Sequence, residues 1–432
     1  MQLEIKKIGI NGEGIGYYRR KPVFIAGCLP GEQVAVGKLN DWGRYYTAEI
    51  KNIVQKSEGR VTPRCREYPG CDGCAFIYLD YRRQLEYKKE LLREALHKYA
   101  GYKGPIEEVV GADKILGYRN KLSLPVTEDD GKLINAMYAA GSNKMQTIRK
   151  CAVHDEKLEK IRRQILNICQ KNGIKAYDRK LKKGLRQLTL RIMDEHIQVA
   201  LTTGEEEIPE PVIKEIMALE GVMSLYQGIN TERNPLHVTS GKTRLLAGHD
   251  ESISFMGYKL KLHPQAFFQL NTAQAEKLYE LVRSMINPAA RTVVEAYSGI
   301  GVMSMLVAEK AEKVYAIEIE KEAVTNGREN AAANRLDNIE FICGDAVREF
   351  RKLKQQADCL IVDPPRSGLD ERLVEAIMEV KPKQIIYVSC NPATLGRNLN
   401  TLKEAYHIEK IIPLDMFPQT PHCESITVLQ KK

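Results

Sequence analysis

Three short segments near the end of the 432-residue chain carry side chains able to do covalent chemistry. A thiol stands in Ser389-Cys390-Asn391-Pro392, directly after the apolar run Gln384–Val388. A carboxylate stands in Asp363-Pro364-Pro365-Arg366, directly after the run Cys359–Val362. A second carboxylate, Glu424, precedes the last apolar run, Ser425–Leu429. A cysteine is ordinarily a small buried hydrophobe. At a strand end, with carboxylates in neighbouring strand-end segments, it is better placed as a nucleophile with a base in reach. The consecutive prolines stiffen the chain after Asp363 and hold its carboxylate at the same edge.

Earlier strand-like runs end in groups that suit a nucleoside. Thr292–Ala296 leads into Tyr297-Ser298-Gly299-Ile300-Gly301, and Lys313–Ile317 leads into Glu318. Ile339–Ile342 leads into Cys343-Gly344-Asp345. Glycines let the backbone approach a ligand, and an acidic strand end can accept ribose hydroxyls. Ser304 stands where a dinucleotide fingerprint has its third glycine, so no pyrophosphate need be cradled. An acidic, glycine-containing pocket of this kind fits S-adenosylmethionine, whose sulfonium is cationic. Base-amine methyltransferases carry an aromatic residue after a similar proline pair, but here the residue is Arg366. A thiol, a base and a methyl donor together suit C5 of a uracil. That carbon is a poor nucleophile until a thiolate adds at C6, and a base must then remove the C5 proton.

The elements that must carry these groups alternate. From His263 onward, strand-like and helical runs follow one another, beginning with a helix over Thr272–Ile286, which predicts a doubly wound parallel sheet. The runs His407–Pro413 and Ser425–Leu429 predict an added antiparallel hairpin. Residues 57–262 are expected to form an α+β middle domain, with helices over Leu79–Tyr99, stopped by Gly101, and over Glu156–Gln170. Residues 1–56 hold short β-rich runs between Gly and Pro turns, and predict a five-stranded OB-like barrel. Lys56–Arg60 is expected to be a linker.

Charge is unevenly placed. The net charge is +9, yet Gly141–Arg191 alone holds 15 Lys/Arg against 4 Asp/Glu. A concentrated basic stretch suits a polyanion. The run Lys171–Arg191, with Tyr118-Arg119-Asn120-Lys121 and the first 56 residues, is expected to form one RNA-facing surface. No apolar run suggests a signal peptide or membrane span, so the expected location is the cytoplasm. Of ten cysteines, Cys65, Cys71 and Cys74 cluster. In a reducing compartment such a cluster reads as metal-binding, for zinc or an iron–sulfur group, rather than as disulfides.

On Ser-Cys390-Asn-Pro, Asp363-Pro-Pro-Arg and the His422-x-Glu424 segment, the whole chain resembles the RNA uracil-5 methyltransferase family, in particular its iron–sulfur-containing 23S ribosomal RNA members. The resemblance implies a Rossmann-like methyltransferase domain over 263–432, a TRAM domain that holds RNA over 1–56, and the middle domain between them. It implies Cys390 as nucleophile, Glu424 as base and Asp363 as the carboxylate on the uracil. It places S-adenosylmethionine on Gln269, Tyr297, Gly299, Glu318, Asp345 and Asp363, and a 4Fe-4S cluster on Cys65, Cys71, Cys74 and Cys151. Tyr297 stands where many relatives have Phe, and Cys423 is an unusual neighbour of Glu424. The implied partner is 23S ribosomal RNA, with no DNA, no membrane and a monomeric protein. Transfer RNA is the alternative substrate, and a noncatalytic RNA-binding protein with a structural cluster is the alternative of another class.

Overall fold

The computed structural model describes all residues except 139–144, 233–242, 250–251, 265 and 354–356. The first sheet is built from β1 (Gln2–Glu4), β2 (Lys7–Ile8), β3 (Gly14–Tyr18), β4 (Lys21–Ile25), β5 (Gln33–Asp41) and β6 (Tyr46–Gln55), in the order β1-β5-β6-β4-β3-β2. Six strands stand where five were expected. β1 and β2 are too short to show alternation, but Leu3, Ile5 and Ile8 are buried. Lys56–Arg60 is not a loose linker. The Arg60 guanidinium donates to Glu32 at 2.5 and 2.9 Å and to the Gly27 carbonyl at 2.7 Å. It also lies 4.7 Å from the centre of the Tyr78 ring. Ile8 and Leu29 pack with Phe76, Ile77, Tyr78 and Leu79, so an apolar seam docks the sheet on the chain that follows.

That chain becomes α1 (Tyr81–Ala100), which Asp80 caps by accepting from the amides of Arg82 and Arg83. Gly101 ends it in the left-handed conformation, as the sequence predicts. Although α1 lies in sequence with the middle segment, its Leu92 and Leu96 belong to the C-terminal core, with Leu395 and Leu399. Gln84 and Lys88 share that buried face.

The middle segment forms β7 (Lys121–Asp129), β8 (Lys132–Tyr138), β9 (Met145–Thr147), α2 (Glu156–Lys171), β10 (Leu185–Met193), β11 (His196–Thr203), α3 (Glu210–Met217), β12 (Val222–Ile229) and β13 (Thr243–Gly248). Its sheet runs β13-β12-β11-β10-β7-β8-β9. The apolar face of α2, Leu158, Ile161 and Ile165, packs against Leu188 and Leu190 of β10. A hairpin, β14 (Ile253–Phe255) and β15 (Tyr258–Leu260), follows.

The last third contains α4 (Thr272–Met285), β16 (Thr292–Ala296), α5 (Val302–Ala308), β17 (Lys313–Glu318), α6 (Lys321–Ala333), β18 (Ile339–Cys343), α7 (Ala346–Lys352), β19 (Cys359–Val362), α8 (Glu371–Val380), β20 (Gln384–Ser389), α9 (Pro392–Leu402), β21 (Tyr406–Leu414) and β22 (Glu424–Lys431). The sheet order is β18-β17-β16-β19-β20-β22-β21. The first five strands pair in parallel, and β21 and β22 add the expected antiparallel hairpin. The sequence between β16 and β19 changes direction across the sheet, which opens a crevice at the strands' carboxyl ends. Among the described residues, no helix is long and apolar enough to cross a membrane.

Candidate active site

Parallel pairing brings the ends of β16, β17 and β18 side by side. Gly299 has φ +55, and a Cβ built there would meet nothing within 4 Å, so the backbone faces open space. Tyr297 adopts φ +66, a left-handed conformation that costs a non-glycine residue energy and is typical of functional strand ends. Glu318 is fixed from both sides. Its Oε2 accepts from Gly299 N at 2.9 Å, and its Oε1 accepts from Ile319 N at 2.7 Å and Glu320 N at 3.0 Å. The carboxylate therefore keeps acceptor capacity on Oε2, while Oε1 already has two donors. Asp345 caps α7 by accepting from Arg348 N at 3.0 Å. Gln269 is buried and tied to the middle sheet, its carbonyl accepting from Asn120 Nδ2 at 2.9 Å. No hydrogen bond joins it to the strand-end set among the described residues.

At the ends of β19, β20 and β22 the acidic groups meet. Ser389 pairs with Ser425 at the end of an antiparallel ladder, and Cys390 and Glu424 stand one residue beyond that pair on either chain. Val362 pairs with Tyr387, which sets Asp363 at the same edge. Burial pushes Asp363 up to about 7. Burial, and then the charge of Asp363, hold Glu424 at about 8 against the opposing pull of Arg366. The Cys390 thiol is pushed up to about 11 by burial, then by Glu424 and Asp363, again with Arg366 opposing. The site thus holds three buried acids, with Asp363 making the Glu424 anion costlier, both making the Cys390 anion costlier, and Arg366 favouring the anions of Glu424 and Cys390. Cys423, one residue from Glu424, is buried and contacts the Glu424 carbonyl at 3.2 Å.

The sequence did not reveal what orients Arg366. Its Nη2 lies 3.0 Å from His422 Nε2, and its carbonyl accepts from Asn391 Nδ2 at 2.9 Å. Burial, then the charges of Arg366, Lys88 and Arg119, push His422 down to about 4, so it is neutral and accepts from Arg366. The spacing of His422 two residues before Glu424 was the available signal. Glu295 was also missed. It is buried, accepts from Ser304 Oγ, and is held at about 8 chiefly by burial.

Cys65, Cys71, Cys74 and Cys151 line one cavity of about 380 Å³, which shares no lining residue with the Cys390 set. Burial, and then Cys151, push the Cys74 thiol up to about 12. Burial alone would raise Cys151 too, but the hydrogen bond and charge of His154, together with the backbone amides of Val153 and His154, outweigh this and hold it below the ordinary value. His154 in turn lies 2.9 Å from Glu159. No three metal-binding side chains close on a single point among the described residues.

The expected RNA-facing surface is only partly a surface. Tyr118 is buried and donates to the Pro418 carbonyl at 3.0 Å, and Asn120, two residues on, is also buried. Arg186 is buried against Asn230, and Arg191 donates to the carbonyls of His263 and Ala266 at 3.2 and 2.5 Å. The reason is the position of β10, which lies between β11 and β7 and is buried along its whole length. Lys171, Lys175, Arg179, Lys180, Lys182 and Lys183 do lie exposed.

The family described as tRNA (uracil-5-)-methyltransferase matches residues 80–432. An uncharacterised RNA methyltransferase of Clostridium tetani is 35% identical over 440 residues, covering 99% of this chain and 95% of its own. One of Bacillus cereus is 34% identical, covering 99% and 96%. The crystal structure of the Pyrococcus abyssi tRNA (uracil-54, C5)-methyltransferase in complex with S-adenosyl-L-homocysteine is similar with a TM-score of 0.80 and 27% identity, covering 99% of this chain and 100% of that one.

Proposed function

This chain belongs to the tRNA (uracil-5-)-methyltransferase family and is an S-adenosylmethionine-dependent RNA methyltransferase; from that premise we propose that it methylates C5 of a uridine in 23S ribosomal RNA, with Cys390 as nucleophile, Glu424 as base and Asp363 holding the uracil. The observation that supports this most is the β20–β22 register, whose last pair, Ser389 with Ser425, sets Cys390 and Glu424 each one residue beyond it. Cys390, its proton passed to solvent, bonds as the thiolate to C6, and the C5–C6 electron pair moves onto C5 and the adjoining carbonyl. S-adenosylmethionine, when bound, supplies the methyl group that C5 then takes. Glu424 removes the remaining C5 proton, the double bond returns, and the thiolate leaves. Tyr297, Gly299, Glu318, Asp345, Asp363 and Gln269 are the residues we assign to the cofactor.

Two features bear on the target. The spacing Cys65-x5-Cys71-x2-Cys74 resembles that of the ribosomal members. A second reading, a transfer RNA uridine, is favoured by the likeness to the Pyrococcus abyssi enzyme. Mapping 5-methyluridine in both RNAs, in cells with and without this gene, decides. A position lost from 23S ribosomal RNA is expected, a loss from transfer RNA alone supports the second reading, and no loss in either overturns both.

The acid cluster gives the reaction a pH signature. Cys390 attacks only as the thiolate, so kcat/KM is expected to rise with pH toward about 11, while the release step that Glu424 serves is expected to rise through about 8. Arg366 favours the anions of Glu424 and Cys390, so Arg366→Met is expected to move both limbs to higher pH. A pH–rate profile with unmoved limbs would remove Arg366 from the site's field.

We also propose that the four cysteines lining the cavity hold a 4Fe-4S cluster. The four line one cavity, and four thiolates are the standard ligation of such a cluster. Protein purified without air is expected to be brown, with a broad visible absorbance that Cys151→Ala removes. Stoichiometric zinc and no iron would overturn the assignment.

A further inference from the structure

Trp42, the chain's single tryptophan, is 62% exposed at the tip between β5 and β6. It is nonetheless held in one orientation. Its ring stacks on Tyr45 at 6.3 Å and 16°, and its indole N–H donates to Thr47 Oγ1 at 3.1 Å. The tip is closed by Trp42 N donating to the Tyr45 carbonyl at 2.9 Å and by Gly43 N donating to Asp41 at 2.7 Å. Tyr45 itself rests edge-on against Phe24, at 5.5 Å and 88°. A large ring fixed in water has already lost the freedom that binding would remove, so a partner gains most of its contact energy.

The charge around the tip says which partner. The turn between β3 and β4 presents Arg19 and Arg20, and Lys21 of β4 joins the two tips through Asp41 at 3.7 Å. Arg19, Arg20, Lys38 and Arg44 are exposed and in no ion pair among the described residues. Aromatic faces interleaved with cations are how single-stranded nucleic acid is held, bases stacking while Lys and Arg take the phosphates.

We propose that Trp42 and Tyr45 form a stacking shelf for an unpaired nucleobase of the RNA substrate, separate from the Cys390 site. The proposal rests on RNA being the substrate. Because no other tryptophan is present, indole emission of the full-length protein reports on this shelf alone. A uridine-containing single-stranded RNA oligonucleotide is expected to quench that emission as it binds, and a blunt RNA duplex of equal length is expected to leave it unchanged. Trp42→Ala is expected to bind the oligonucleotide about tenfold more weakly in a filter assay, as loss of one stacked base implies. Trp42→Phe, which keeps an aromatic face, is expected to restore most of the affinity. Binding of the oligonucleotide with unchanged emission, or wild-type affinity in Trp42→Ala, overturns the shelf while leaving the methylation reading intact. A wild-type protein that binds no RNA overturns both.

Discussion

Glu424→Gln is expected to accumulate on its RNA as a covalent complex that survives denaturing electrophoresis and already carries the methyl group. The amide cannot take the C5 proton, so addition and methylation proceed and release does not. Cys390→Ala is expected to form no such complex and to methylate nothing, because the C6 adduct never forms. The two variants separate a base from a merely structural carboxylate, since a structural Glu424 would lose activity with no trapped species. A folded, cofactor-bound Glu424→Gln protein that forms no adduct on a methylatable RNA would falsify the role assigned to Glu424. Peptide mapping must place the adduct on Cys390, since Cys423 adjoins Glu424 in sequence, although it is buried.

Lys88→Met is expected to destabilise the C-terminal unit by about 3–5 kcal/mol, because it leaves Asp415 charged and without its cation in the interior. Both side chains of the Lys88–Asp415 ion pair are fully buried. Lys88 also donates to the Phe417 carbonyl at 3.1 Å, and Tyr81 donates to Asp415 at 2.8 Å. Lys88→Met with Asp415→Asn removes both charges and keeps an acceptor for Tyr81, so it is expected to recover most of the loss. Urea unfolding followed by circular dichroism measures both. A loss of under about 1 kcal/mol in the single variant would show that water reaches the pair.

Which features were legible follows from where their causes lie. β16, β19 and β20 are buried on both faces, so each reads as a largely apolar run, and each begins at the residue expected. The reactive groups stand directly at those ends, which is why Asp363 and Cys390 could be placed before any coordinates. Lys88 and Gln84 could not. Their partners Asp415 and Gln419 lie 327 and 335 residues away, so on α1 they look like members of a solvated face. Arg186 and Arg191 misled for the same reason. Their charge is visible in the sequence, but the strands flanking β10 that bury them are not.

The Arg60 joint has a consequence for what the enzyme measures. Glu32 and Gly27 grip that guanidinium from the first sheet, and Tyr78 lies beneath it from the chain leading into α1. Phe76, in the same apolar seam, donates its amide to the Gln419 carbonyl at 2.9 Å, five residues before Glu424. These contacts join the first sheet to the chain that carries Glu424, so a first sheet holding a base on the shelf proposed above would work as a gauge rather than as a tethered hook. A tether would average over many spans and accept many RNA loops. A gauge accepts those in which the base gripped at the tip and the base to be modified lie one set distance apart.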